Sequence, residues 1–175
     1  MARLEILREG NPILRQKAKK LYRVDDGIRK LADDMFETML DAPGVGLAAP
    51  QIGRSIRLIV VHLPEGYEAE GAPEVNLRLA NPEIVKAFGS QTGPEGCLSI
   101  PGWAGEVERY ADITVKAIDM DNRPVRIKAS GHLAVVLQHE IDHLDGILFP
   151  DRIADKSKMW RVTEDEVEEE EVPVG

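Results

Sequence analysis

His139 and His143 stand four residues apart, with Glu140 beside the first, in the run Gln138-His139-Glu140-Ile141-Asp142-His143. On a helix, residues four apart share a face, so both imidazoles can present a nitrogen to one metal ion. Glu140 is then held where it can take a proton from water that the metal has made acidic. The chemistry in outline is hydrolysis. Two protein ligands leave the site incomplete, and the third decides what kind of hydrolase this is.

Three completions are open. One protease pattern places a third histidine six residues after the second; Gly146 fits it, but position 149 is Phe149, which cannot bind metal. A second uses a downstream glutamate on another helix. The nearest candidate, Glu164, begins a run of like charges that does not favour a buried ligand. The third is the sole thiol, Cys97, within Gly93-Pro94-Glu95-Gly96-Cys97-Leu98-Ser99-Ile100-Pro101-Gly102. Its glycines and prolines require a shaped loop or a strand end, not a helix interior. One thiolate and two imidazoles leave a coordination position open, as catalytic rather than structural sites do. Against this, an isolated cysteine is usually a small buried hydrophobe, and a bare His-Glu-x-x-His match can be accidental. The independent helix signal and the setting of Cys97 favour a metal hydrolase.

The elements that must carry these residues are legible. Leu133, Val136, Leu137, Ile141 and Leu144 mark one apolar helix face, and Val135, His139 and His143 a neighbouring one. A helix apolar on more than one side is buried. It is expected to start at Ser130 as N-cap, run to Leu144 and stop at a left-handed Gly146. An earlier helix follows the stripe Ile28, Leu31, Ala32, Met35, Phe36, Met39, Leu40, with Asp25 or Asp26 as cap. A turn-rich segment is expected from Gly44 to Gly53. Strands are expected at Ile56 to Val61 and at Leu77 to Val85 with a break at Asn81-Pro82. A hairpin should join the alternating runs Ile113–Ala117 and Val125–Ala129. Without strand–helix–strand alternation the sheet should be antiparallel or mixed.

The chain has 175 residues, 43% hydrophobic and 30% charged, the size and composition of one globular domain. Its net charge of −9 is unevenly placed: seven acids fall between Glu164 and Glu171, and without them the remainder carries only −2. We therefore expect one catalytic domain over residues 1–160 and a mobile acidic tail over 161–175, with a short helix near Lys156 to Arg161. No basic face suits DNA, no apolar run is long enough for a membrane span, and one cysteine excludes an internal disulfide. The start of the chain has no signal-peptide layout, so a cytoplasmic location is the default expectation.

Three segments together, Gly44-Val45-Gly46-Leu47-Ala48-Ala49-Pro50-Gln51, Glu95-Gly96-Cys97-Leu98-Ser99 and Gln138-His139-Glu140-Ile141-Asp142-His143, resemble the motifs of the peptide deformylase family in order. The resemblance runs from the first helix to about Phe149. It implies an α+β fold with mixed, mainly antiparallel sheets around a buried metal-binding helix. It implies a hydrolase that removes the formyl group from the formylmethionine of newly made polypeptides and releases formate. A zinc peptidase using the same helix is the alternative. The resemblance implies one divalent metal, Fe2+ in the cell, with Zn2+, Ni2+ or Co2+ able to occupy such a site.

Carried over by position, Cys97, His139 and His143 would be the metal ligands. Glu140 would be general base and then general acid. The Gln51 amide and the Leu98 backbone N–H would donate to the developing oxyanion. Val45, Val135 and Val136 would line the methionine pocket. Gly46, with Gly44, would let a peptide approach the backbone closely. Glu95 would pair with Arg109 and brace the Cys97 loop. His132 departs from the family, which usually carries an aliphatic residue there; it is expected at the rim, where it could narrow or polarise the pocket. Family members can dock on the ribosome through a basic extension, and the acidic run here departs from that pattern.

Overall fold

A computed structural model describes residues 3–162 and 174–175. Among the described residues, two α-helices and eight strands form an α+β fold in which the paired strands all run antiparallel. Five strands make one sheet in the order β1 (Gly46–Ala48), β2 (Leu58–Leu63), β3 (Val75–Phe88), β6 (Asp112–Ile118), β7 (Pro124–Ser130). β4 (Gln91–Cys97), β5 (Ile100–Arg109) and β8 (Met159–Arg161) make the other.

The alternation of side chains along β2 explains why its sequence is apolar without interruption. Ile59, Val61 and Leu63 face the helix α2 (Gly131–Leu144), while Leu58 and Val60 face α1 (Asp26–Asp41). A strand covered on both faces has no polar side to show. α1 starts at Asp25, whose side chain accepts from Ile28 N–H at 2.9 Å. Its apolar stripe packs on β1 and β2, except for Leu40, which points outward and is exposed.

α2 covers the other face through Ala134, Val136, Leu137, Ile141 and Leu144. Ser130 is its N-cap by position, but its side chain makes no capping hydrogen bond. The C-terminal end is fixed more firmly. Arg57 donates to Leu144 O at 3.0 Å, placing a cation on the negative end of the helix dipole. Gly146 follows with φ +75°, and a Cβ there would lie 2.6 Å from Arg15 O, so the turn needs glycine.

Several sequence expectations need correction. Gly44 to Gly53 is not only turn: it contains β1 and a 3-10 turn over Ala49–Ile52. The break at Asn81-Pro82 does not end a strand, because β3 runs through it with a register shift and a left-handed Asn81 (φ 51°). That Asn81 side chain both accepts from and donates to the Leu21 backbone, at 2.8 Å each way, which offsets the conformation. The expected short helix from Lys156 to Arg161 is a 3-10 turn, Lys156–Lys158, followed by β8 on the edge of the second sheet. The mobility expected of the acidic run lies outside the described residues, which omit 163–173.

Candidate active site

The site forms where the two sheets meet α2. Cys97 ends β4 at a register shift, and Cys97 pairs directly with Ile100, so Leu98 and Ser99 form a tight turn. This aims the thiol at α2. Cys97 Sγ lies 3.4 Å from His143 Nε2, and the two Nε2 atoms of His139 and His143 are 3.2 Å apart. The three ligand atoms all lie within 4.8 Å of one another, and all three residues are buried. Three soft or borderline donors converging on one point fit a divalent transition metal with a position left open.

The His139 ring is held from behind. Its Nδ1 meets Glu95 Oε1 at 2.8 Å, which leaves Nε2 facing the site. Phe149 stacks against the ring, with centroids 6.3 Å apart. Glu95 is gripped by Arg109, which also donates to Asp142 at 2.6 Å. Arg152 reaches the same Asp142 at 2.8 and 3.0 Å. Burial alone would raise the Glu95 carboxyl, but hydrogen bonds from Arg109 and His139 outweigh it and hold the pKa at about 2. Burial opposes charge on His139, yet Cys97 and Glu95 pull its pKa above the usual imidazole range. His143 goes the other way, pushed down by burial and then by His139.

Glu140 is fully buried, and neither carboxylate oxygen has a hydrogen-bond partner among the described residues. Burial raises its pKa to about 7. A carboxylate left unpaired inside a protein is costly, and it persists where its proton affinity is used. β1 passes so close that a Cβ on Gly46 would collide with the Glu140 carboxylate.

Gln51 is also fully buried. Its Oε1 accepts from Ala48 N–H at 2.9 Å, which fixes which way the amide points. Its Nε2 donates to Ser99 Oγ at 3.1 Å and lies 3.8 Å from Cys97 Sγ. Val45, Val135 and Val136 line a small cavity beside Glu140 and His139. His132 is not brought to it: the ring is exposed on the first turn of α2, edge-on to Tyr67.

The second sheet and α2 are locked together by a residue whose role the sequence did not reveal. Gln138 accepts from Tyr110 N–H and donates to Tyr110 O, both at 3.0 Å. Asp142, Arg152 and Ser99 were likewise missed. The acidic residue inside the histidine motif was a weak signal for Asp142, as was the place of Ser99 in the Cys97 motif; Arg152 gave none.

A sequence model of the polypeptide deformylase family matches residues 3–159. The chain belongs to this family. It is 56% identical to a peptide deformylase of Thermomicrobium roseum over 175 residues, covering all of this chain and 99% of the relative. A peptide deformylase of Symbiobacterium thermophilum is 52% identical, over all of this chain and 76% of that one. Among solved structures, the peptide deformylase of Legionella pneumophila superposes with a TM-score of 0.81 at 43% identity, over 90% of this chain and 89% of that one. That of Ehrlichia chaffeensis in complex with actinonin also gives 0.81, at 40% identity, over 90% and 92%. The activity is therefore hydrolytic removal of the N-terminal formyl group from nascent polypeptides, at a site that takes a divalent metal. No helix among the described residues is long and apolar enough to cross a membrane.

Proposed function

We propose that Cys97, His139 and His143 hold the metal and that Glu140 carries the proton through deformylation. The observation that carries this reading is the buried Glu140 carboxylate, without a hydrogen-bond partner among the described residues, beside the converging ligand atoms. A divalent cation held by Cys97, His139 and His143 would supply Lewis acidity toward the formyl carbonyl and the attacking water. Glu140 takes the proton from the attacking water, burial having raised the proton affinity of its carboxylate. The Gln51 Nε2–H and the Leu98 N–H stabilise the oxyanion. Gln51 suits this role because Ala48 fixes its amide and it carries no charge to compete for metal. Glu140 then returns the proton to the departing amine, so formate and a free amino terminus are released.

The methionine side chain enters the cavity between Val45, Val135 and Val136, and the Gly44–Gly46 backbone binds the peptide. Exposed His132 acts at most on the rim. Glu95 and Arg109 brace the Cys97 loop from behind. The catalytic unit is residues 1–160. The native ion is Fe2+, with Zn2+, Ni2+ or Co2+ able to replace it. The enzyme works in the cytoplasm, in transient contact with the ribosome that supplies its substrate.

The test is formate release from a formylmethionyl peptide by anaerobically prepared, iron-loaded protein, with Glu140→Ala as control. Release by the unmutated protein alone is expected. No release from it, or equal release from both, overturns the assignment. Cleavage of internal peptide bonds in unformylated substrates would favour the peptidase reading instead.

A further inference from the structure

Val174 and Gly175 lie in the cleft between β1 and the end of β4, bound as a strand. Val45 donates its N–H to Val174 O at 2.8 Å, Gly175 donates to Gly96 O at 3.3 Å, and Leu98 donates to Gly175 O at 3.2 Å. Gly96 and Val174 form a parallel bridge. The same Gly175 O lies 2.9 Å from His139 Nε2. It therefore sits between the Leu98 N–H assigned to the oxyanion and a nitrogen assigned to the metal.

The fit depends on two glycines. A Cβ on Gly44 would stand 3.1 Å from Val174 O, and a Cβ on Gly175 would collide with the Glu140 carboxylate. Gly175 forms part of the wall of the cavity lined by Val45, Val135 and Val136 but brings no side chain into it. It engages the part of the cleft that reads peptide backbone and leaves the side-chain pocket unused. Three main-chain hydrogen bonds, each worth about 0.5–1.5 kcal/mol net, make only a weak ligand when free in solution. Tethering on the same chain raises its effective concentration to the millimolar range, enough for a weak ligand to be bound much of the time.

We propose that the Val174–Gly175 segment is an intramolecular ligand of the catalytic cleft, so that the chain competes with its own peptide substrate. The inference rests on the reading of this cleft as the deformylation site. The segment and a formylmethionyl peptide need the same Val45 and Leu98 N–H groups, so both cannot be bound at once. The apparent substrate affinity is then reduced by the fraction of molecules whose cleft is free. A substrate that also fills the side-chain cavity makes contacts the segment lacks and displaces it. The turnover of the bound complex is unaffected, because the segment has left before chemistry begins.

The experiment compares the metal-loaded full chain with its Gly175→Val form, whose side chain cannot sit against Glu140, and with Gly175→Pro, which also removes the N–H given to Gly96. Thermal melting establishes that each is folded. Three readouts are used: KM and kcat for a formylmethionyl peptide, the dissociation constant of unformylated Met-Ala-Ser by calorimetry, and hydrogen exchange at the Val45 amide. Release of the segment predicts a fall of about two- to tenfold in both KM and the dissociation constant. kcat should not change, and exchange at Val45 should speed up. Unchanged Met-Ala-Ser affinity and unchanged Val45 exchange overturn the proposal. A KM that falls on diluting the unmutated protein also overturns it, since the ligand would then come from a second copy. If no form releases formate but both variants bind Met-Ala-Ser more tightly, the competition stands and the deformylation reading fails.

Discussion

Arg109 grips Glu95 with two arms of its guanidinium, Nε to Oε2 at 2.9 Å and Nη2 to Oε1 at 2.8 Å. Both side chains are almost wholly buried. Parallel bonds of this kind fix the carboxylate in angle as well as distance. Because Glu95 Oε1 also meets His139 Nδ1, the grip sets the orientation of the imidazole whose Nε2 faces His143 in the candidate metal cluster. Asp142 and Arg152 continue the alternation of charge outward to a half-exposed guanidinium.

Charge reversal at this point should do two separable things. Arg109→Glu leaves Glu95 and Asp142 buried without their shared partner, a loss of about 3–5 kcal/mol by urea denaturation. It also frees the His139 ring, so metal affinity measured by chelator competition should fall about 10- to 100-fold. Unaltered affinity in a folded variant would show that the pair does not brace the site.

The same pair gives the protein an acid limit. The Glu95 pKa is depressed in the fold, from 4.5 to about 2. Its stabilisation is therefore complete above pH 4.5 and is lost as pH falls from there through about 2. The shift is worth on the order of 3 kcal/mol. Denaturation between pH 6 and pH 2 should show this fall in the unmutated protein and a shallower one in Glu95→Gln. Parallel curves would place the acid sensitivity elsewhere.

Glu140→Gln separates catalysis from stability. Removing the proton carrier should reduce formate release by about 10²–10⁴-fold. No hydrogen bond to the Glu140 carboxylate is made by the described residues, and its charge is fully buried. The neutral amide should therefore leave the melting temperature unchanged or raise it, with metal content retained. A large drop in melting temperature would mean that the carboxylate has a structural partner.

Two glycines should respond differently to the same added methyl group. In Gly46→Ala the new Cβ displaces the Glu140 carboxylate, so kcat should fall by about 10²-fold, the cost of misplacing a catalytic group by an ångström. In Gly146→Ala the Cβ meets the Arg15 backbone at a φ of +75°. About 1–3 kcal/mol of stability should be lost. The order of effects on rate and on melting temperature distinguishes the two roles.

The sequence by itself determined the helices, the β6–β7 hairpin, the apolar run of β2 and the pair of histidines in the candidate metal cluster. Each rests on a local regularity: a 3.6-residue stripe, a period of two, a short unbroken apolar run, or two histidines at i and i+4. Family motifs added Gln51, Leu98, Glu95 and Arg109. Tertiary structure alone decided that β3 runs unbroken past Asn81-Pro82, because the compensating bonds come from Leu21, sixty positions away in the chain. It alone brought Arg152 to Asp142 and Ser99 to Gln51, and it alone carried His132 outward to Tyr67. It also laid Val174–Gly175 along the cleft, although the nearby composition pointed only to a solvated tail. The physical reason is common to these cases. A backbone N–H or carbonyl offers the same chemistry at every position, so which of them meet is fixed by how the chain packs.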